Sequence, residues 1–384
     1  MRKYSDGDER NIRTERLVRE WVRSGLLSQG QLELILPSLR VELRRTNAFL
    51  RAILFGFGIF VILASVLLAG VTSGIRTDSG RAALCLVAAV ACMFMAEILI
   101  GEVRLYRFGV EEAAAIGSIV LLGLAGMFTA ESQHARGEFP AFAGLVVAGI
   151  AGMGTYWRFG YLSGALLSMF CIGIAPFQTN TSPVVQRLMA AGILFGFFIV
   201  SRSKRRGQGD EFPGDEYGTI QAVAWLGMYA ALNLMPITRY LGGAALHGSF
   251  YWFTYAMIWI LPAAGLILAI REKDRPLLDA NVVLALATLA TNKLYLDLPR
   301  QTWDPILLGL LLAGTAIGLR RWLGTDGRRG FTAARILHSD KQKLSVVGTA
   351  SAALHTMPGT PAAPEKPFES GGGRSGGGGA GGSF

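Results

Sequence analysis

The sequence predicts an all-α protein: a polytopic transmembrane helical bundle of about ten spans (eight to ten). A short cytosolic N-terminal helical hairpin precedes the bundle and a disordered Gly-rich C-terminal tail follows it. Three observations carry this. The 384 residues are 51% hydrophobic and only 17% charged, too apolar for an ordinary soluble chain of this length. The apolar residues come in blocks near the 20 or so needed to cross a hydrocarbon core roughly 30 Å thick. The loops between blocks alternate between rich and poor in Lys and Arg, as membrane topology requires.

The leader, 1–47, is highly charged. Leu17, Val18, Trp21 and Val22 share one helical face, while Arg16, Arg19, Glu20 and Arg23 stay solvated. Gly25 suits the left-handed position that ends a helix, and Leu26 and Leu27 bridge the turn. Ser28 and Gln31 have capping-box spacing, and Leu32, Ile35 and Leu36 form a second apolar face. The first apolar block begins only near Ala48, so no secretory signal is expected and the first span serves as its own insertion signal.

Apolar blocks fall at about 48–71, 82–100, 113–130, 140–156, 161–177, 184–200, 218–235, 250–270, 280–296 and 304–319. The fourth is short and glycine-rich, and the ninth contains Asn281, Asn292 and Lys293. With the N-terminus inside, one set of loops holds ten cations: Arg104, Arg107, Arg158, Arg202, Lys204, Arg205, Arg206, Arg271, Lys273 and Arg275. The opposite set holds five: Arg76, Arg81, Arg136, Arg239 and Arg300. The basic leader and the segment after Leu319 fall with the richer set, so both termini are expected on the cytoplasmic side of the membrane. Tyr156, Trp157 and Trp322 would mark the inner interface, and Tyr251, Trp252 and Trp303 the outer.

Gly160 with Gly164, Gly192 with Gly196, and Gly314 with Gly318 form GxxxG pairs that permit close helix packing. Arg107 and Arg158 each open an RFG motif about 50 residues apart, a faint parallel repeat of the kind transporters show. Cys85, Cys92 and Cys171 lie inside apolar blocks and read as packing residues. Residues 48–320 therefore form the transmembrane domain. Residues 321–355 read as a cytosolic amphipathic segment with Ser339 and Gln342 at capping-box spacing, and 356–384 as a Pro/Gly-rich tail too poor in apolar surface to fold. The GRSGG stretch in that tail matches a nucleophile-elbow pattern without the strand and helix it needs.

No catalytic constellation emerges, and no metal or cofactor site. His134, His247, His338 and His355 are scattered without ligand spacing, and no phosphate loop is present. The ionisable and polar residues inside spans are the candidates, because a charge at mid-membrane costs roughly 2.5–3.5 kcal/mol. Glu97, one turn from the inner end of its span, is expected to pair with Arg104 or Arg107 or to handle protons or cations. Glu111 and Glu112 open a span, where a helix N-terminus favours negative charge. Asn292 and Lys293, with Asp297, Arg300 and Asp304, suggest either a solvated loop or a polar vestibule, and Asn233 and Trp259 either pack or line a cavity. The net charge of +10 is spread over loops rather than one face, so nucleic acid is not implied.

The leader, through Trp21, Gly25, Leu26, Leu27, Ser28, Gln31 and Leu32, resembles an uncharacterised bacterial family of multi-pass membrane proteins carrying a domain of unknown function. That resemblance implies membrane localisation and architecture only. Two functions follow as expectations. One is a permease-like protein handling lipids or small molecules. The other is a membrane-embedded scaffold or sensor that docks a cytosolic partner through Trp21, Gly25, Leu26, Leu27, Ser28 and Gln31. The lipid bilayer is the implied partner, with a cytosolic protein at the hairpin and a homo-oligomer left open.

Overall fold

The computed structural model describes residues 3–23, 25–133, 137–208, 215–234, 248–272 and 274–296, together with single residues between 306 and 317. Among them the fold is all-helical, and the one β contact is an isolated parallel bridge between Arg44 and Leu105. The helices are α1 (Asp6–Arg23), α2 (Gln29–Ile35), α3 (Ala48–Thr72), α4 (Asp78–Gly101), α5 (Val110–Ser132) and α6 (Phe139–Phe159), then α7 (Leu162–Ile174), α8 (Pro183–Gln208), α9 (Asp215–Leu232), α10 (Ser249–Glu272) and α11 (Arg275–Tyr295). Seven of the described helices, α3 to α6, α8, α10 and α11, are long and apolar enough to cross a membrane. The apolar blocks at 161–177 and 218–235 correspond to α7 and α9. Residues 304–319, 321–355 and 356–384, the four histidines, Trp303 and Trp322 lie outside the described segments.

Local signals in the leader fold as their chemistry dictates. Gly25 has φ of 75°, and its N–H donates to Val22 O at 3.1 Å. Ser28 Oγ accepts from Gln31 N at 3.3 Å while Gln31 Oε1 accepts from Ser28 N at 2.9 Å, a complete capping box. Val18, Trp21, Leu32 and Ile35 form a small core between α1 and α2.

The bundle has two packed groups. In the first, α5 lies between α4 and α6 and also carries α3, with Ala113, Ala114, Ala115 and Ile119 fully buried. In the second, α9 packs on α8, α11, α10 and α7. Here α9 is surrounded: Ala224, Trp225, Met228, Tyr229, Ala231 and Leu232 are all buried. The two ends of the bundle are distinguished below by α1: the near end carries it, and the far end holds the α3–α4 turn.

Close helix approaches use glycines on neighbouring helices rather than GxxxG pairs within one. A Cβ on Gly152 of α6 would lie 2.8 Å from Gly164 O of α7 and 3.1 Å from Ser168 N. A Cβ on Gly123 of α5 would lie 2.8 Å from Ala148 Cβ of α6. Gly160, expected to pair with Gly164, instead ends α6 with φ of 72°, and nothing lies within 4 Å of a Cβ on Gly192 or Gly196. Replacing Gly152 by Ala is therefore expected to cost about 1–3 kcal/mol through overpacking against backbone. Gly192→Ala is neutral or slightly stabilising through helix propensity. Thermal unfolding of the two variants in the same detergent checks the contrast.

Candidate functional site

The four polar residues singled out in the spans do not form one site. Glu97 stands at the near end of α4. It does not pair with Arg104 or Arg107; its Oε1 accepts from Arg158 Nε of α6 at 2.6 Å, and its Oε2 from Arg158 Nη2 at 3.1 Å. Lys3 Nζ lies 3.2 Å from Oε2. Arg104 pairs with Glu42 instead, and the Arg107 guanidinium lies 5.7 Å from the Tyr106 ring centre. Beside this pair the Tyr4 and Tyr161 hydroxyls are 2.8 Å apart, and Tyr4 also donates to Leu105 O at 3.2 Å. Burial pushes both phenols well above their ordinary range, and each remains a neutral hydrogen-bonding group. The sequence spacing carried no sign of these partners, because Glu97 and Arg158 are 61 residues apart.

Glu111 caps α5 as expected, accepting from Phe108 N at 2.5 Å and Gly109 N at 3.1 Å. Glu112 has a different partner, Arg51 of α3, whose Nε donates at 2.7 Å.

Asn233 and Asn292 belong to the second group of helices. Gln221, Trp225, Tyr229 and Asn233 recur every four residues on α9 and just beyond it, one stripe on one face. The last three meet α11 rung by rung. Trp225 Nε1 donates to Asn281 Oδ1 at 2.9 Å, Tyr229 and Thr288 hydroxyls are 2.9 Å apart, and Asn233 Nδ2 donates to Thr291 Oγ1 at 3.3 Å. The register rises together on both helices, so α9 and α11 run parallel. Asn292 Oδ1 accepts from Tyr255 of α10 at 2.9 Å. Lys293 sits beside it in the last turn of α11, whereas Asp297, Arg300 and Asp304 lie outside the described residues. Trp259 is half exposed on α10 and lines no cavity described here. The Trp225, Tyr229 and Asn233 rungs are engaged with α11, which makes them interhelical glue, whereas Gln221 Oε1 accepts from Arg205 of α8 at 3.4 Å and its Nε2 is buried without a hydrogen-bond partner among the described residues.

At the ladder's near end Asp274 Oδ2 accepts from Arg205 Nη1 at 2.5 Å. Burial pushes the Asp274 carboxyl up, against the opposing pull of that guanidinium.

The arrangement with room for a ligand is one that hydropathy could not locate. A groove of about 620 Å³ runs between α3, α4 and α5, within the range of small-molecule sites. Its walls are apolar, including Leu63 and Leu67 of α3, Leu84 of α4, and Val120, Leu124 and Phe128 of α5. Arg76 and Arg81 stand at its far-end mouth and are its charged lining residues. Arg81 lies 3.2 Å from Asp78 and its Cζ is 5.9 Å from the Phe128 ring centre.

Side-chain size creates the groove. In the near half, a Cβ on Gly58 of α3 would lie 2.7 Å from Ala113 Cβ, and one on Gly109 would lie 2.4 Å from Arg51 O. In the far half α5 presents Val120, Leu121, Leu124 and Phe128, which line the gap beside α3. Leu63 and Leu67 are 56% and 60% exposed, so the groove opens sideways. In the sequence Arg76 and Arg81 register only as loop charges.

Of the leader residues, Trp21 is buried and Leu27 is partly buried in the α1–α2 core, while Leu26 is 64% exposed at the turn. The leader is also tied to the connector after it: Glu15 accepts from Arg45 Nη2 at 2.6 Å and from Arg19 Nε at 3.0 Å. Burial raises the Glu15 carboxyl, but the Arg45 and Arg19 guanidiniums outweigh it and hold the group below the usual carboxylate range.

Among the described residues no group of three or more His, Cys, Asp or Glu is placed to hold a metal ion. Comparison with protein-family models, with curated proteins and with solved structures finds no match to this chain. The seven apolar helices among the described residues fit the class of a membrane protein.

Two outcomes follow. Asn281→Val leaves the Trp225 indole N–H without its acceptor and is expected to destabilise by about 1–2 kcal/mol, measured by thermal unfolding in detergent. A carboxylate lowered on folding contributes its full stability above the unfolded value of about 4.3 and loses it as pH falls through the folded value. The protection of α1 amides, taken relative to their intrinsic exchange rate at each pH, is thus expected to fall only as pH drops below the ordinary Glu range, and Glu15→Gln removes that dependence.

Proposed function

We propose that this chain is a multi-pass protein of a bacterial inner membrane, with both termini cytoplasmic, that handles an anionic lipid-like molecule in the α3–α4–α5 groove. The observation that carries this reading is the pairing of apolar walls with Arg76 and Arg81 at one mouth. An acyl chain lying along the walls leaves its anionic head at the guanidiniums, where a charge-assisted contact is strongest. The sideways opening provides entry from the bilayer without passage through water. The near end carries the richer set of loop cations, which supports a cytoplasmic side there and an outer side at the arginine mouth. A permease-like movement of such a molecule needs the far half of α3 to swing relative to α5, and its contact through the small residues Gly58 and Ala113 suits that motion.

The second reading, a membrane-embedded scaffold or sensor with the leader as docking module, draws on the exposed Leu26 and Leu34. Against it, Trp21 packs inside the leader, and Lys3 and Tyr4 anchor the leader's start to the spans.

Native mass spectrometry of the full chain, loaded with phosphatidylglycerol or phosphatidylcholine, tests the groove. Phosphatidylglycerol is expected to remain bound preferentially, and Arg76→Gln with Arg81→Gln to remove the preference. Val120→Trp, which fills the groove, is expected to lower retention of both lipids. Equal retention of both lipids by all variants would refute the reading.

A further inference from the structure

The near end holds a second cavity of opposite character, about 350 Å³ and half open to the surface, bordered by α1, the connector after α2, the first turn of α3 and the α4–α5 loop. Arginine dominates its lining: Arg16 and Arg19 come from α1, Arg45 from the connector, Arg51 from α3 and Arg107 from the loop. Glu15 is the carboxylate among its described lining residues.

These cations are built into the fold. Arg45 and Arg19 share Glu15, with contacts of 2.6 and 3.0 Å. Arg51 is oriented by Glu112 through an Nε contact of 2.7 Å. The two walls are stitched together by backbone: Arg44 N donates to Arg104 O at 2.9 Å, and Tyr106 N donates to Arg44 O at 3.0 Å. Arg107 itself adopts φ of 49°, a left-handed conformation that non-glycine residues rarely take. Five guanidiniums line one half-open cavity, two of them on Glu15 and one, Arg51, on Glu112 behind it. Like charges this close repel, and a polyvalent anion relieves that repulsion.

We infer that this cavity binds a phosphate group, carried either by an anionic lipid of the adjacent leaflet or by a soluble phosphate compound. Planar guanidiniums match phosphate oxygens in bidentate geometry, which a single lysine does not. Ala48 and Arg51 begin the first of the long apolar helices, so the cavity sits at the polar boundary of the bundle. That level is reached both by lipid headgroups and by solutes. The inference is independent of the groove, since the cavity and the arginine mouth lie at opposite ends of α3.

The test uses the full chain in phosphatidylcholine nanodiscs and reads the unfolding temperature in two arms. One arm titrates inorganic phosphate against sodium chloride at equal ionic strength; the other replaces part of the phosphatidylcholine by phosphatidic acid. A rise with inorganic phosphate identifies a soluble source, and a rise only with phosphatidic acid identifies the headgroup. Either rise should vanish in the Arg16→Gln, Arg107→Gln double variant and persist in Arg40→Gln, an exposed connector arginine outside the cavity lining. Should the double variant fail to fold, Arg16→Gln alone is exposed on α1 and is expected to weaken half-saturation about tenfold. No rise in either arm, or an equal change in Arg16→Gln and Arg40→Gln, overturns the inference.

Discussion

The Glu97 carboxylate joins three parts of the chain that are remote in sequence: the leader at Lys3, α4, and the end of α6 at Arg158. A charged group one turn inside a long apolar helix is costly unless opposite charges meet it with good geometry. Arg158 does so with a fork of two N–H donors and Lys3 with its ammonium. Meeting that demand brings the leader onto the bundle, which buries Tyr4 against Tyr161 and Tyr106. With the Arg45–Glu15 pair and the Arg44 backbone bonds, it helps to hold α1 beside the first turn of α3, where the arginine-lined cavity lies.

The second half of the bundle answers the same constraint with neutral groups. Asn281, Asn292 and Lys293 made the ninth apolar block marginal by hydropathy, since composition cannot credit a polar group for a partner on another helix. In the fold Trp225 and Tyr255 supply partners for the two asparagines. The stripe Gln221, Trp225, Tyr229, Asn233 has the period of a helix face and was readable as such. Its match to Asn281, Thr288 and Thr291 depends on the parallel register of α9 and α11, which no local signal specifies.

What was legible divides along the same line. Apolar blocks, the left-handed Gly25 and the Ser28–Gln31 capping box depend on residues within a few positions of one another, and among the described residues, which leave out the block at 304–319, each has its counterpart in the structure. The partners of Glu97 and Glu112, the position of the close glycine contacts and both cavities depend on contacts across tens of residues. The GxxxG expectation shows why. Spacing within one helix establishes that a smooth face exists but not that another helix lies upon it, and Gly192 and Gly196 face open space while Gly152 meets Gly164 across a helix pair.

The two cavities are linked through α3, which touches each at a different end. Its first turn is fixed by Arg51 on Glu112 and by the close pass of Gly109, whose positive φ and missing side chain let the α5 N-terminus reach the Arg51 carbonyl. Its far half borders the groove, and Gly58 is its one buried residue. A helix held firmly at one end and lightly along the rest moves by pivoting about the held end. A phosphate that tightens the arginine cluster would stiffen that pivot, while an acyl chain in the groove would set the angle of the free half. Arg51 belongs to both effects: its guanidinium lines the basic cavity, and its carbonyl and ion pair hold α3 against α5.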